Sequence, residues 1–419
     1  MIKREILEKI LPWLDKEKIL IIKGARQVGK TFIMKQLKNE LESRGEKVVY
    51  LLADDIDNRP IFSSLSSLEA YLRQYHGFPN GVIYLMIDEF QVIEEAGVFL
   101  KNVYDRYRSE IRLIVSGSSS LEINKNSEYL TGRAIHFNVG RVSFKEYFDY
   151  EEGTATELMP LSDFKKLKNF YALSGPRLEA TFGTYLSYGG YPEVLITDDV
   201  EQKEEILKSI IKTYIDKDII NQLQVENVTG FNNLIKILAS QAGQLVRYKE
   251  LSDTANLATN TLRRYLEILS GTYIVDFVRP YFRNIRTEIS KMPKIFLLDT
   301  GIRNYLLRSY SLESQEMGNV VENSIYLELL ARFDKDNIHY YRTNSGSEID
   351  FVIEGKGKSL LLIEVKYRSK TMVTLPMKTF PRKYPEGKMR IMLTKNALKY
   401  EDGIYFIPAV LFPFVNLEV

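Results

Sequence analysis

Eight consecutive residues, Gly24-Ala25-Arg26-Gln27-Val28-Gly29-Lys30-Thr31, have the types and spacing with which a polypeptide grips phosphate. Glycines let backbone N–H groups converge on phosphate oxygens, a following helix adds its positive end, and Lys30 reaches the β- and γ-phosphates. The Thr31 hydroxyl is a ligand for Mg²⁺. A second pair, Asp88-Glu89, closes the apolar run Val82-Ile83-Tyr84-Leu85-Met86-Ile87. At the end of a parallel strand Asp88 can hold Mg²⁺ through water, while Glu89 polarises the water that attacks a γ-phosphate. ATP or a close relative, with Mg²⁺, is the cofactor this chemistry calls for.

Further candidates follow. The run Ile111 to Val115 ends in Ser116-Gly117-Ser118-Ser119-Ser120, where Ser116 either senses the γ-phosphate or belongs to a plain turn. Arg133, in Leu130-Thr131-Gly132-Arg133, is either an arginine finger for a neighbouring subunit or an ordinary surface arginine. Near the other end, Glu348-Ile349-Asp350-Phe351-Val352-Ile353 and Leu360-Leu361-Leu362-Ile363-Glu364-Val365-Lys366 flank a glycine turn and read as a β-hairpin. Alternation puts Glu364 and Lys366 on one face, where Asp350 meets them across the hairpin. Glu348 reads as a solvated neighbour.

These groups need positioning. Ile19-Leu20-Ile21-Ile22 is a short buried strand, and Phe32 to Leu41 has helical spacing, so strand, loop and helix come in the required order. From about Tyr150 to Val228 the chain is charged and helical in pattern, broken at Gly189-Gly190 and Pro192, and reads as a helical lid and connector. Lys217 and Asp218 read as an interdomain ion pair. Three helices, beginning near Phe231, Tyr248 and Asn260, precede Tyr273 to Val278 and suggest a winged helix-turn-helix. Arg263 and Arg264 on its third helix suit a major groove. Between Arg279 and Arg308 seven basic residues, Arg283 and Arg286 among them, face only Glu288 and Asp299, which makes this stretch the candidate phosphate-contacting patch. The rival reading packs the winged helix as an interdomain arm.

With 419 residues the chain exceeds one hydrophobic core, and 45% hydrophobic with 27% charged residues is an ordinary globular composition. A formal net charge of +2 excludes a protein that coats nucleic acid with its whole surface. With no cysteine, disulfides and Cys-ligated zinc are excluded, and His76, His136 and His339 are too scattered for a histidine metal site. Neither a signal peptide nor a run long enough to span a bilayer is evident, so the expectation is a cytoplasmic protein without stable membrane insertion.

Together, the Gly24–Thr31 loop, Asp88-Glu89-Phe90-Gln91, Ser116–Ser120, Leu130–Arg133 and Val142-Ser143-Phe144 resemble a prokaryotic AAA-superfamily ATPase. Tyr188-Gly189-Gly190-Tyr191-Pro192-Glu193, Tyr214 to Ile219, Pro293-Lys294-Ile295-Phe296 and Asp299-Thr300-Gly301 extend the resemblance over nearly the whole chain. It implies a C-terminal domain of unassigned function similar to restriction-endonuclease folds. Asp350, Glu364 and Lys366 look like the PD-(D/E)xK nuclease signature, with Ile349 in place of the proline. In that likeness Asp350 and Glu364 bind Mg²⁺, Lys366 helps to activate water, and Glu322, opening a helix, adds a ligand.

The expected fold is therefore α/β. Residues 1–149 form a P-loop, AAA-like parallel sheet, 150–228 the helical lid, 229–290 the winged helix, and 291–419 the nuclease-like domain. The expected function is Mg²⁺-dependent ATP binding and hydrolysis that acts on nucleic acid, DNA favoured, with nucleotide state controlling the C-terminal domain. The alternative is an ATP-dependent switch or scaffold that binds protein or DNA through a catalytically inert domain. A homo-oligomer is a further expectation, resting on Arg133.

Overall fold

A computed structural model describes residues 2–118, 128–215, 225–312, 314–369 and 372–417. Ser119, Ser120, Lys217 and Asp218 lie outside the described residues. The chain divides into two compact units, Ile2–Val142 with Gly271–Tyr273, and Ser143–Ser270 with Ile274–Val419.

In the first unit, β1 (Ile19–Lys23), β2 (Lys47–Leu52), β3 (Ile83–Asp88), β4 (Ile111–Gly117) and β5 (Ala134–Asn138) form one sheet in the order β2-β3-β4-β1-β5. Every pairing is parallel. The apolar runs are near-continuous because both faces are covered, and all six residues of β3 are buried. Helix α1 (Lys30–Ser43) buries Ile33, Met34, Leu37 and Leu41 along one stripe. Helices α2 (Leu65–His76) and α3 (Ala96–Tyr107) contribute Leu68, Leu72, Leu100 and Val103 to the core under β3 and β4. Strand β4 runs between β1 and β3, so its last residues stand between the loop after β1 and the acidic end of β3.

The second unit begins with helices α4 (Phe144–Glu152), α5 (Phe164–Tyr188), α6 (Pro192–Ile196) and α7 (Val200–Thr213). A capping box of Ser143 and Glu146 opens α4. Next come α8 (Val228–Ser240), α9 (Tyr248–Ala255) and α10 (Thr259–Gly271), the antiparallel pair β6 (Val275–Val278) and β7 (Lys294–Leu297), and α11 (Thr300–Leu307). The turn Tyr188 to Pro192 and the Asp299 stretch are two halves of one joint. Asp299 accepts from Gly190 N at 2.8 Å and caps α11 through Ile302 N at 2.9 Å. Asn304 donates to the last carbonyls of α5, Leu186 O at 2.9 Å and Ser187 O at 2.8 Å. A Cβ on Gly301 would stand 2.1 Å from Tyr188 O, so only glycine fits.

Helix α12 (Ser314–Arg332) precedes β8 (Ile338–Arg342), β9 (Glu348–Glu354), β10 (Leu360–Lys366), α13 (Leu375–Lys383), β11 (Met389–Thr394), β12 (Lys399–Glu401) and β13 (Ile404–Pro408). The strands lie in the order β12-β13-β11-β10-β9-β8. Neighbours β8, β9 and β10 are antiparallel, whereas β10, β11 and β13 are parallel. The β9–β10 register pairs Phe351 with Ile363, which brings Asp350 beside Glu364. On its other side β9 shifts register between Ile349 and Val352, and such a bulge re-aims the side chains it contains, here Asp350. Among the described residues no helix is long and apolar enough to cross a membrane.

Candidate functional site

The loop after β1 turns on two left-handed residues, Gln27 (φ 61°) and Gly29 (φ 95°), and Gly29 caps α1. Gly24 faces the backbone of Val139, where a Cβ would come within 2.3 Å of the carbonyl oxygen. Ala25 and Val28 are buried, whereas Arg26 and Gln27 are exposed. Lys30 lies 5% exposed beneath the loop and donates to Ala25 O at 2.8 Å and Gly24 O at 3.2 Å. Burial lowers its pKa below the ordinary lysine value, against the pull of Glu89 and Asp88.

Four donors converge on the Asp88 carboxylate. Thr31 Oγ1 and Tyr50 OH each donate to Oδ2 at 2.7 Å, while the Ser116 hydroxyl and Glu89 N donate to Oδ1. Burial, with the bond to Asp88, pushes the Tyr50 phenol well above its ordinary pKa. Ser116 is fully buried and spent on Asp88, because β4 lies beside β3; its hydroxyl is not aimed outward as a phosphate sensor would be. Glu89, itself left-handed (φ 53°), accepts from Ser118 Oγ at 2.9 Å and Gln91 Nε2 at 2.5 Å. These groups fit a magnesium nucleotide: a hydroxyl and a carboxylate already in contact, a glycine loop opening a helix, and a lysine beside them. Arg133 pairs within its own chain, donating to Asp105 at 2.7 and 3.1 Å.

Sequence reasoning missed Arg4. The residue is 4% exposed, and its guanidinium donates to Val28 O at 2.8 Å, Gly140 O at 2.8 Å and Arg141 O at 3.1 Å, which ties the loop to the chain beyond β5. Tyr50 and Ser118 were likewise invisible as partners of Asp88 and Glu89, since only the strand order brings them there, whereas Gln91 reaches Glu89 from two residues along the chain.

In the second unit the sheet gathers Asp350, Glu364 and Lys366 as the hairpin spacing requires. Lys366 Nζ is 2.8 Å from Glu364 Oε1, and Asp350 Oδ2 accepts from Val365 N at 2.8 Å. Glu364 Oε2 is buried with no hydrogen-bond partner. A cavity of about 520 Å³ opens beside them, lined by Glu348, Asp350, Glu364, Lys366 and Thr374. Glu322 joins from α12, but its partner is Lys294, 3.2 Å away. The same ammonium lies 2.9 Å from Glu348 and 3.6 Å from Asp350. Glu348 is thus not a solvated neighbour: one oxygen meets Lys294 and the other contacts Arg342. Burial lowers the Lys294 pKa, but Glu322, Asp350 and Glu348 outweigh it and raise it above the ordinary value. Burial and Asp350 push the Glu322 and Glu364 carboxyls up, against Lys294 and Lys366. Among the described residues no set of three His, Asp or Glu side chains is arranged to hold a metal ion.

The basic stretch from Arg279 to Arg308 is not one surface patch. Lys294 and Arg303 are each 3% exposed, Arg303 beside Glu316, and Arg283 pairs with Glu386 at 2.7 Å. Arg286 is exposed; on α10, Arg263 and Arg264 are exposed too, with Arg263 over the Tyr248 ring at 5.4 Å.

Three family models match the chain: the AAA domain over residues 16–148, and two domains of unknown function, DUF8612 over 179–313 and DUF4143 over 317–412. Residues 16–148 thus match an AAA domain model and carry the parallel five-stranded sheet and glycine loop of an AAA-type P-loop fold. Similar proteins include two uncharacterised proteins of Methanocaldococcus jannaschii. One is 24% identical over 87% of this chain and 77% of its own length, the other 24% over 94% and 84%. An uncharacterised protein of Haemophilus influenzae is 22% identical over 88% of this chain and 87% of its own. Among solved structures, AMPPCP-bound DnaA from Aquifex aeolicus is 15% identical, covering 64% of this chain and 89% of that one at a TM-score of 0.30.

Proposed function

We propose that this chain is a Mg²⁺-dependent ATP-binding and ATP-hydrolysing switch that acts on nucleic acid, DNA favoured, through its second unit. The contact between Thr31 and Asp88 carries the reading. It places the hydroxyl and the carboxylate that would hold Mg²⁺ at 2.7 Å, directly beside Lys30 and Glu89. Mg²⁺, when bound, neutralises charge on the phosphates. Loop amides between Gly24 and Thr31 bind the phosphates, and Lys30 leaves its two carbonyls to meet them. Glu89, oriented by Ser118 and Gln91, takes the proton of the attacking water. Ser116 and Tyr50 act through Asp88, as positioning residues. Calorimetry with Mg-ATP tests this: Lys30→Ala loses uptake, and Glu89→Gln keeps uptake while losing turnover. Uptake that survives Lys30→Ala overturns the reading.

For the nucleic-acid contact, the order of three helices and a two-stranded wing supports a winged helix that presents Arg263, Arg264 and Arg286. Removing Arg263 and Arg264 together should reduce the salt slope of DNA binding by about two, one for each lost phosphate contact. An unchanged slope removes this surface from the reading. Arg133 as a finger in a homo-oligomer requires the Asp105 pair to open. Sedimentation with and without ATP tests it, and a monomer under both conditions excludes it.

Two readings of the C-terminal constellation remain, cleavage under nucleotide control and recognition without cleavage. The antiparallel β8-β9-β10 run joined to parallel β11 supports a nuclease-like fold for both. Lys294, seated among the carboxylates, favours recognition.

A further inference from the structure

The Asp350, Glu364 and Lys366 constellation, taken as nuclease-like, has a cation of its own. We propose that the Lys294 ammonium is the resident counter-ion of this cluster, standing among Glu322, Glu348 and Asp350 where a divalent metal would bind, so that the domain engages its ligand without metal-dependent cleavage. The inference rests on reading the cluster as nuclease-like and is independent of the ATPase site.

Several observations converge on it. Lys294 is 3% exposed and meets three carboxylates that come from α12 and β9, at 3.2, 2.9 and 3.6 Å. A surface lysine would find one partner and water. Isolated burial of an ammonium is costly, and only a ring of opposite charge makes the position tenable. Four carboxylates therefore face Lys294, Lys366 and Arg342, which leaves little uncompensated negative charge to attract a second cation.

The lysine is fixed in place. Strand β7 pairs with β6 on one edge, and on the other Gly243 N, Gln244 O and Val246 N bond Ile295 O, Ile295 N and Pro293 O. Beyond Lys294, the Asn323 amide clamps both backbone groups of Leu297 at 2.8 Å. Phe296 stacks on Tyr326, with ring centroids 4.4 Å apart, and Tyr326 stacks on Phe351 at 6.2 Å. That ladder joins the same three elements that supply Lys294, Glu322 and Asp350. An ammonium held this way is a constitutive part of the core, not a plug that nucleotide state withdraws.

The size of the ion matters as well. Ammonium holds its oxygens near 3 Å, whereas Mg²⁺ requires about 2.1 Å and Ca²⁺ about 2.3–2.6 Å. Removing the amine should therefore convert the cluster into a divalent site that favours larger ions. Glu364, whose Oε2 lacks a partner, then remains for ligand recognition at the cavity wall together with Lys366.

Binding of Mn²⁺ to the full, nucleotide-free chain at pH 8, read by electron paramagnetic resonance, tests the proposal. The wild type should show no site tighter than about 1 mM, the weak end of oxygen-ligand sites, and Lys294→Ala should gain one at least tenfold tighter that Asp350→Asn abolishes. Mn²⁺ should also raise the melting temperature of Lys294→Ala and leave that of the wild type unchanged. A wild-type site tighter than about 1 mM that Asp350→Asn removes overturns the proposal. So does a folded Lys294→Ala that gains no site. If Lys294→Ala does not fold, the wild-type measurement decides alone, joined by Mn²⁺-dependent DNA cleavage, which must be absent. Mg-ATP uptake on the same preparation reads the P-loop separately.

Discussion

Replacing Arg4 by methionine keeps the aliphatic stem and removes the guanidinium, and with it the hydrogen bonds to Val28, Gly140 and Arg141. A bond from a charged donor contributes roughly 1.5–3 kcal/mol. The bond to Val28 is buried and should cost about 2 kcal/mol; the other two are half-buried, water replaces them, and each should cost about 0.5 kcal/mol. These three bonds together set an expected loss of at least about 3 kcal/mol for the first unit. Trp13, the chain's sole tryptophan, lies in that unit, so urea unfolding followed by its fluorescence reads this unit selectively. Nucleotide affinity supplies the second readout. Val28 belongs to the phosphate loop, and if untying it reduces the binding-competent loop to a tenth of the population, Mg-ATP affinity falls about tenfold. A stability loss under about 1 kcal/mol, together with affinity within about twofold of wild type, would refute the claim that Arg4 anchors the loop.

Gly301→Ala drives a Cβ to 2.1 Å from the Tyr188 carbonyl, where neither backbone yields easily, so thermal melts should show a loss of about 3 kcal/mol or more, or no folded protein. Gly318→Ala, on α12 with nothing within 4 Å of the new methyl, should instead be neutral or stabilising by up to about 1 kcal/mol. His76 is lowered below the ordinary histidine pKa by burial and then by Lys47, and its Nε2 has no partner. The unfolded chain therefore takes up a proton first as pH falls. The stability tied to His76 is complete above about pH 6.5 and lost below it, and His76→Gln should flatten the decline in Trp13-monitored stability between about pH 7 and 5.

What was legible in the sequence was contiguous. Gly24 to Thr31 is one stretch of chain, and an apolar strand ending in Asp88-Glu89 announces itself by composition alone. The hairpin that pairs Asp350 with Glu364 follows from alternation and a glycine turn. Tyr50, Ser118 and Arg4 were not legible, because nothing near them in sequence marks a partner. Their roles come from strand order, with β4 inserted between β1 and β3, and from an N-terminal segment that folds back on the loop. Ser116 shows the same limit: its place after β4 was readable, but the direction of its hydroxyl depended on the neighbour that β4 acquires. The turn at Gly189 and the Asp299 stretch were each visible as motifs, yet neither shows that it is half of the other.

Lys294 marks the point where local pattern stops deciding function. Asp350, Glu364, Lys366 and Glu322 would occupy the same sequence positions whether the charge they enclose were a metal ion or an amine, because the carboxylates that ligate one also neutralise the other. Lys294 was counted in sequence among basic residues of a phosphate-binding patch, the role a lysine in a charged stretch ordinarily has. Its actual environment is set by β7, held from both edges and stacked through Phe296 onto Tyr326. Assigning chemistry to such a constellation therefore requires knowing which cation the fold already supplies, and here that cation comes from a strand that the hairpin motif does not include.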